Sequence, residues 1–483
     1  MKFIKKISII LIIAVAISAC EKKLTDLQPI DQIPSELAIQ NMADVSNALN
    51  GIYGTWSPRR SIYISSLISD EVRLGTGTEY RNVGNILFNW NHVSDSQDWR
   101  DGETGGTWTN LYTVIDRANR LLELMVPVVP NNGSEDVLKV QYRGELLALR
   151  GMAHLELLRC FSKTPEYAPA ELGVILQTIY VKPAVIATYK PSRSTQSEVM
   201  ASVSADLLEA RGLIPTTFTN NSRITRNAII AAQVRAALHI KNWQGVVDRA
   251  NEIITAQPLT PIAAYAAIWT TRTLAENQST EVIWKLNVNA ANAGSSIGLL
   301  WQDAGTGAVQ ASPAVKLTSS FDQVNDIRYS TFFKTTPRSL IAKYGFFITG
   351  NGENFQYVVK MIRTSEMVLA RAEAQAELGQ IVLANNDLSA LRSNRITGYT
   401  HVSITDKATL ISAILQERYK ELCYEGQRYF DLKRRSLPIV RDITDVANNT
   451  AIQTLPPTDT RYILPIPQQE KFANPNVQQN PGY

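Results

Sequence analysis

The last ten residues of the chain combine two prolines and a glycine with an aromatic end. Pro475, Pro481 and Gly482 exclude a helix or a central strand from this stretch. The preceding run ILPIP, residues 463–467, is extended and apolar as well. A loosely attached terminus is usually polar. The composition therefore predicts that the terminus is a strap pinned across a folded body.

The amino terminus has the layout of a bacterial lipoprotein leader. Three lysines precede an apolar stretch, Ile7–Ile17, that is too short to span a bilayer. Small residues then stand directly before Cys20. We expect residues 1–19 to be a signal peptide and Cys20 to carry lipid, because a multiply acylated cysteine anchors a protein firmly. The alternative is a plain secretory signal followed by a coincidental cysteine.

Composition places the mature chain among ordinary globular proteins. Removing residues 1–19 lowers the formal net charge from +4 to +1, because the leader holds three lysines and no acidic residue. We therefore expect no nucleic-acid partner. No linker or low-complexity tract divides residues 20–483, which favours one compact unit. Cys160 and Cys423 have apolar helical contexts that favour buried thiols, although an oxidising periplasm would permit a disulfide between them.

Apolar residues recur mainly at helical spacing. The stripe from Leu138 to Cys160 has spacings of three and four, which predicts one long helix. The ranges Asn41–Trp56 and Trp108–Met125 follow the same pattern. Thr195 and Glu198 form a candidate capping box at the start of a further helix. These patterns predict a mainly α fold.

Two pairs of shorter helices have the appearance of a repeat. The first pair is Arg226–Ile240 with Trp243–Thr255, and the second is Met361–Leu378 with Ala384–Asn394. Small residues dominate their faces, which lets helices approach closely. Each pair resembles a tetratricopeptide hairpin. A helix from Asp406 to Tyr424 would pack on another such element, so we expect these pairs to form the scaffold.

Two stretches are less regular than the rest of the chain. Residues 62–96 and 258–352 are rich in Gly, Ser, Thr and Asn. Alternating runs such as Glu281–Asn287 predict short β-hairpins set among loops. Long loops on a rigid scaffold often carry binding residues. We therefore expect the ligand site on these loops.

Two motifs in the C-terminal half resemble a known family. Glu417–Arg435 reads ERYKELCYEGQRYFDLKRR, and the end of the chain contains LPIP and NPNVQQNPGY. This ordered combination resembles the SusD/RagB family of cell-surface nutrient-binding lipoproteins. Upstream, Trp108–Asn119 and Gly144–Ala153 are similar to two helices of that family, with Gly151 in place of the usual alanine.

The resemblance implies a SusD-like fold with an N-terminal part over about residues 20–215 and a SusD/RagB part over about residues 216–483. It implies an oligosaccharide ligand and a SusC-like TonB-dependent outer-membrane transporter as partner. It also implies an outer-membrane location, lipid-anchored and facing the exterior. We expect no enzyme activity, cofactor or metal.

Catalytic signatures are missing from the sequence itself. No nucleophile elbow, phosphate loop or zinc motif appears. The four histidines have no ligand-like spacing, and His154 and His239 fall on predicted helices, where a core position is the simpler interpretation. The sequence therefore favours binding over catalysis.

Three carboxylates share one face of the C-terminal helix. Glu417, Glu421 and Glu425 stand at i, i+4 and i+8, where like charges repel and require cationic partners. A carboxylate pair for glycoside hydrolysis is one interpretation. A structural ion-pair network is the interpretation we favour. The candidate partners are Arg150, Arg428 and Arg434.

Aromatic and polar side chains in the two loop stretches suit a sugar ligand. A ring covers the flat C–H face of a sugar, and fixed polar groups bind its hydroxyls. Core packing is the competing interpretation for each tryptophan, most of all for Trp90 next to Phe88. Trp301 is followed by Gln302 and Asp303. The candidate ligand-binding residues are Asp70, Arg73, Tyr80, Arg81, Trp90, Asp98, Trp99 and Trp301.

The expected function is therefore glycan capture at the cell surface and delivery to a transporter. The main alternative is a tetratricopeptide-type scaffold that binds another protein and no glycan. A peptide or glycopeptide ligand also remains open. A surface glycosidase is a third alternative.

Overall fold

The computed structural model describes residues 38–74, 84–94, 103–270, 281–286, 296–303, 307–336, 338–345, 357–446 and 452–483. The leader, Cys20 and four candidate site residues lie outside these ranges. Within them, no helix is both long and apolar enough to cross a bilayer.

The described residues are mainly helical, as the sequence predicts. The helices are α1 Met42–Thr55, α2 Pro58–Ile68, α3 Asn85–Phe88, α4 Glu103–Leu124, α5 Gly133–Phe161, α6 Pro183–Ile186, α7 Gln196–Leu213, α8 Arg226–His239, α9 Trp243–Ala256, α10 Ile262–Tyr265, α11 Ala267–Thr270, α12 Val315–Thr318, α13 Ile327–Phe332, α14 Thr364–Glu377, α15 Ile381–Ser393, α16 Lys407–Glu421, α17 Arg428–Arg434 and α18 Gln468–Ala473. Short 3₁₀ turns cover Gly298–Leu300, Ile443–Asp445 and Thr460–Tyr462.

The described strands are short and form two-stranded antiparallel sheets. In chain order they are β1 Val72–Arg73, β2 Val282–Leu286, β3 Ser312–Pro313, β4 Phe333–Lys334, β5 Leu340–Ile341, β6 Val359–Arg363, β7 Ile439–Val440 and β8 Thr454–Leu455. The pairs are β1 with β3, β2 with β6, β4 with β5, and β7 with β8. In the longest pair, Lys285 lies opposite Lys360.

Side-chain caps set the starts of the predicted helices. The Asn41 side chain accepts hydrogen bonds from Ala43 and Asp44, which fixes the start of α1. The predicted capping box at α7 is confirmed, since Thr195 Oγ1 accepts from the Glu198 amide and Glu198 accepts from the Thr195 amide. Such caps supply partners for backbone groups that the first helical turn cannot satisfy.

The first irregular stretch contains a helix that the sequence interpretation missed. Residues 62–68 were expected to be loop or hairpin, yet they belong to α2, which begins at Pro58. Ile62, Ile64 and serines weaken the local helix propensity. Burial decides the outcome here, because Ile62, Ile64, Leu67 and Ile68 all enter the core.

The alternating run at Glu281–Asn287 does form a strand, but its partner is distant. Val282–Leu286 pairs with Val359–Arg363, and not with a neighbouring segment in a hairpin. The helix predicted from Met361 correspondingly begins later, at Thr364, because Met361 belongs to that partner strand. A run of five residues cannot by itself indicate which strand it pairs with.

Two apolar clusters hold the helices together. The larger one extends from Met42 in α1 to Val477 near the C-terminus. The smaller one joins α14, α15 and α16 through residues such as Leu369, Leu388 and Ile414. The alanines of α14 are fully buried where α14 packs on α9, α15 and α16. The helix pairs thus form close-packed layers, while their detailed likeness to tetratricopeptide hairpins stays a prediction.

The C-terminal strap, residues 463–483, is fixed by its own side chains, and this prediction is confirmed. The Arg193 guanidinium donates to the Gln478 carbonyl at 2.9 Å and to Asn480 Oδ1 at 3.0 Å. Asn480 Nδ2 donates to the Leu464 carbonyl at 2.7 Å. The Gln479 side chain bonds both backbone groups of Ile466. Extended backbone without sheet partners therefore obtains its hydrogen bonds from side chains.

Candidate ligand-binding site

The two irregular stretches of the sequence meet in space. Strand β1 pairs with β3, so Arg73 lies opposite Ser312. The Trp301 ring lies 6.3 Å from the Tyr63 ring of α2 and 5.5 Å from the Tyr424 ring, centroid to centroid. We call this meeting place, residues 72–74, 84–85 and 301–313, the loop junction. It brings the first predicted loop region beside the second.

Two predicted binding tryptophans are core residues. Trp301 is fully buried at the base of the loop junction, so it offers no exposed ring to a ligand. Trp90 is 1 % exposed, and its indole nitrogen donates to the Ile68 carbonyl at 2.9 Å. The Arg441 guanidinium covers the Trp90 ring at 4.2 Å. The prediction that these two rings face a ligand is wrong, because both fill space between helices and loops.

Asp70 is also an internal residue and not a ligand-binding one. Its carboxylate accepts two hydrogen bonds from the Arg428 guanidinium, at 2.7 and 2.9 Å, and one from Lys316 Nζ at 2.8 Å. Burial alone would raise the pKa of Asp70, but the charges of Arg428 and Lys316 outweigh it and lower the pKa to about 2. Asp70 thus joins the start of β1 to α17.

The remaining predicted residues have two different outcomes. Arg73 is half-buried at the end of β1 and stays a candidate. Asp303 is likewise half-buried, in a turn where its carbonyl accepts from the Gly307 amide at 2.8 Å. Tyr80, Arg81, Asp98 and Trp99 lie outside the described residues, so their roles stay predictions.

The attachment points of the Tyr80 segment lie at the loop junction. Residues 75–83 leave the described chain after Leu74 and rejoin it at Gly84. Gly84 has a φ of +83°, and a Cβ there would stand 2.6 Å from the Tyr63 hydroxyl. A glycine is therefore required for this close approach. The ends of the segment that carries Tyr80 and Arg81 are thus fixed next to Tyr63 and Trp301.

Behind the loop junction lies a buried charged cluster, which we call the arginine–glutamate core. It consists of Glu281, Arg328, Lys343, Arg363, Arg395, Glu417, Glu421 and Glu425. Glu421 accepts hydrogen bonds from three fully buried guanidinium groups, those of Arg328, Arg363 and Arg395. Arg363 also donates to Glu425 at 2.6 Å. Buried charges of both signs thus satisfy one another.

The contacts confirm the structural interpretation of the three helix-face glutamates and correct their partners. Arg150 binds Asp206 at 2.6 Å, Arg428 binds Asp70, and Arg434 binds Glu373 at 2.6 Å. None of these predicted cations contacts the glutamates. The partners that the sequence interpretation missed are Arg328, Lys343, Arg363, Arg392 and Arg395.

The electrostatics of this core keep its carboxylates ionised. Burial would raise the pKa of Glu417, but the charges of Arg328, Lys420 and Arg392 lower it to about 2. Burial opposes ionisation of Glu421 too, yet Arg395, Arg363 and Arg328 hold its pKa well below the ordinary value. A general acid needs a raised pKa near neutrality. These two groups therefore serve as structural anions.

Residues of the other family-like motifs also make structural contacts. Trp108 Nε1 donates to Glu470 of α18 at 3.1 Å. Arg150 bridges Asn119 and Asp206, at 2.9 and 2.6 Å. These contacts connect α4, α5 and α7, and they join α4 to the C-terminal strap. The motif side chains thus fix how helices pack and leave ligand contacts to the loops.

The histidines and cysteines behave as the sequence predicts. His154 and His239 are buried, and burial lowers the pKa of each to about 3. Cys160 and Cys423 are buried free thiols. Among the residues that the structure describes, no group of three His, Cys, Asp or Glu side chains is arranged to hold a metal ion.

Three clefts in the described part of the chain differ in size and lining. An internal cleft at Trp56, Met152, Trp284 and Lys360 has about 50 Å³ of water-accessible space. A cleft over α7, α8 and α9 has about 250 Å³. A groove between α16 and α17 has about 580 Å³, but its described lining carries no aromatic ring. Ligand pockets commonly measure about 300–1,000 Å³, so the internal cleft is too small for an oligosaccharide.

Comparisons with known proteins identify the family. The SusD family profile matches residues 343–483, and a profile described as starch-binding and associating with the outer membrane matches residues 29–238. Together these ranges cover more than two thirds of the chain. The chain therefore belongs to the SusD-like family, and the resemblance seen in its motifs is confirmed.

Relatives and solved structures agree with this assignment. The SusD-like protein P38 of Formosa agariphila is 22% identical over 431 residues, covering 78% of this chain and 79% of P38. A SusD superfamily protein of Bacteroides thetaiotaomicron has a TM-score of 0.76 and 24% identity, covering 91% of this chain and 100% of its own. A SusD-like carbohydrate binding protein of Bacteroides vulgatus has a TM-score of 0.74 and 20% identity, covering 91% and 98%. At these identities the two structures establish the fold alone.

Proposed function

We propose that this protein captures an oligosaccharide at the outer membrane and passes it to a SusC-like TonB-dependent transporter. The observation that carries the proposal is the match of residues 29–238 to the starch-binding, outer-membrane-associated profile. The fold neighbour described as carbohydrate binding supports the same ligand class. The structural role of the buried glutamates supports binding without turnover.

The ligand binds on the outer side of the loop junction in this proposal. Tyr80, Arg81, Asp98 and Trp99 supply rings and charges there, and Arg73 lies on the described rim. Stacking one sugar face on a ring contributes on the order of 1–3 kcal/mol. Ordering a flexible sugar offsets part of this gain, so we expect modest affinity.

Calorimetry against a panel of oligosaccharides tests the ligand. We expect one glycan class to bind, and Tyr80→Ala or Trp99→Ala to weaken its binding at least tenfold. Phe472→Ala is the matched control, because Phe472 is an aromatic residue with 77% of its side chain exposed far along the chain. Equal affinity in all variants would move the site away from the loop junction. Binding of peptides only, or of no ligand, would favour the peptide or scaffold alternatives.

The anchor and the unit that it carries are also part of the proposal. Cys20 carries lipid after removal of residues 1–19, and residues 20–483 form one compact unit. The larger apolar cluster supports this, since it contains residues from Met42 to Val477. Cys20→Ala should release the protein into the soluble fraction, while Cys160→Ala should not. Unchanged membrane fractionation of Cys20→Ala would contradict the anchor.

The helix layers form the surface that docks on the transporter. Close-packed helical layers offer a broad, rigid face of the kind that repeat proteins use for partners. A lipid anchor confines both proteins to one membrane, which raises their effective concentration. A mild-detergent pull-down of the tagged protein from native membranes should recover a TonB-dependent barrel. Recovery of the lipoprotein alone, with barrels folded and soluble, would count against the partnership.

A further inference from the structure

Two buried hydrogen-bond donors line the internal cleft without an acceptor. Lys360 is 2% exposed and Trp284 is fully buried, and both side chains line this cleft. Within the part of the chain that the structure describes, neither Lys360 Nζ nor Trp284 Nε1 has a hydrogen-bond partner. Buried polar groups in native proteins nearly always have partners. Two such donors on one small cleft indicate that an acceptor belongs there.

The charges around the cleft leave the Lys360 ammonium without an anion. Arg159 pairs with Glu156 at 2.8 Å, and Arg235 pairs with Glu366 at 2.7 Å. These two guanidinium groups are therefore already compensated.

The remaining carboxylate of the cleft is committed elsewhere as well. Glu425 lines the cleft but is shared by Lys343 and Arg363, at 2.6 Å from each. Lys285 lies directly opposite Lys360 in the β2–β6 ladder and adds a second positive charge nearby. Like charges facing each other across strands are destabilising. The local excess of positive charge favours an anion over a neutral acceptor.

The size of the cleft restricts the class of ligand. About 50 Å³ of water-accessible space accommodates a few water-sized spheres at most. Trp56, Ile62 and Met152 form part of its wall, so the wall is largely apolar. A monatomic anion fits this volume, whereas a sugar or a large organic anion does not. The Lys360 ammonium also lies 5.6 Å from the Trp269 ring, which leaves its donors available on the cleft side.

We propose that this cleft binds a halide ion, with Lys360 Nζ and Trp284 Nε1 as its hydrogen-bond donors. The ion compensates the buried ammonium and links strand β2 to β6 at the point where the ladder is irregular. It is a structural ligand, separate from the glycan of the proposed function. The site therefore stands or falls independently of the loop junction.

Bromide identifies the ion directly in a crystal. The full mature protein is crystallised with sodium bromide, and anomalous diffraction is measured at the bromine edge. We expect a peak within hydrogen-bonding distance of Lys360 Nζ, which is lost in Lys360→Met. Density that scatters as water, with no anomalous signal, would overturn the proposal.

Thermal unfolding tests the same site in solution. At matched ionic strength we expect a melting temperature about 1–2 °C higher in sodium chloride or bromide than in sodium gluconate, whose anion is too large for the cleft. The difference should disappear in Lys360→Met and shrink in Trp284→Phe. It should persist in Lys334→Met, because Lys334 is an exposed lysine on β4. The readout is the difference between salts, so a change in the overall stability of a variant does not obscure it. An equal salt difference in Lys360→Met and in the unaltered protein would contradict halide binding.

Discussion

The arginine–glutamate core and the loop junction are adjacent but are built in opposite ways. In the core, each carboxylate has fixed guanidinium partners, as Glu421 has in Arg328, Arg363 and Arg395. In the loop junction, buried rings form a base, and the candidate binding residues are carried by segments attached to it. The motif by which the family is recognised thus belongs to the base. Family membership therefore indicates the scaffold more sharply than the ligand.

The largest expected effect is loss of the core in acid. Asp70, Glu417 and Asp431 have pKa values lowered to about 2, because cationic partners outweigh the effect of burial. A lowered folded-state pKa stabilises the protein above the unfolded value near 4, and this stability is lost as the pH falls toward 2. Each group contributes roughly 2–3 kcal/mol. Denaturant unfolding between pH 5 and pH 2 should show a loss of several kcal/mol.

One buried carboxyl group works in the opposite direction. Burial raises the pKa of Glu71 to about 7, so its contribution is present below about pH 4.5 and is lost as the pH rises through 7. Glu417→Gln should flatten the acid limb, because glutamine does not titrate. Glu209→Gln should not, since Glu209 forms a half-exposed pair with Arg143. An acid limb of equal slope in both variants would assign acid unfolding to other groups.

Removing one buried anion should be nearly as damaging. Glu421→Ala leaves three buried guanidinium groups without a shared partner, and breaking such a pair costs about 3–5 kcal/mol. Glu209→Ala removes a surface ion pair and should cost less than about 1 kcal/mol. Urea unfolding of both variants measures the difference. Similar small losses would mean that neighbouring carboxylates replace Glu421.

The C-terminal strap should show an intermediate effect. Arg193→Met removes the donors to the Gln478, Phe161 and Gly173 carbonyls. Hydrogen bonds to charged groups contribute about 1.5–3 kcal/mol each, net of water. We expect a loss of about 2–3 kcal/mol by urea unfolding and faster proteolysis of the strap. Arg143→Met is the exposed control, and an equal loss there would mean that the strap contributes little.

The smallest effect on stability is expected at the loop junction. Tyr80→Ala and Trp99→Ala should shift the melting temperature by less than about 1 °C, because surface substitutions usually change stability by under about 0.5 kcal/mol. The same variants should lose glycan affinity. Glu421→Ala should behave in the reverse manner, with its folded fraction binding normally. A large stability loss in Trp99→Ala would mean that the ring packs in the core, as Trp90 and Trp301 do.

Local patterns in the sequence predicted the helices well, because their signals are local. The stripe from Leu138 to Cys160 and the capping box at Thr195 lie within single elements, and α5 and α7 follow them. The α2 helix was missed because burial overrides a weak propensity. The partner of β2 was missed because pairing over 70 residues leaves no trace in a five-residue run.

Charge pairing and tryptophan burial were predictable only in kind. The need of Glu417, Glu421 and Glu425 for cations follows from their spacing. The identity of those cations does not, because Arg328, Arg363 and Arg395 come from three distant segments. For Trp301, neighbouring Gln302 and Asp303 suggested exposure. Its position under Tyr63 and Tyr424 depends on how two remote loops meet.

The reach of the C-terminal strap has a consequence for the order of events during synthesis. Arg193 must wait for Asn480, and Asp70 must wait for Arg428. A ribosome adds residues at about 5–20 per second, so these early side chains remain unsatisfied until almost the whole chain has been made. Contacts of such long sequence separation also form slowly. The nascent protein therefore stays open until translation is nearly finished, and its last residues close the structure.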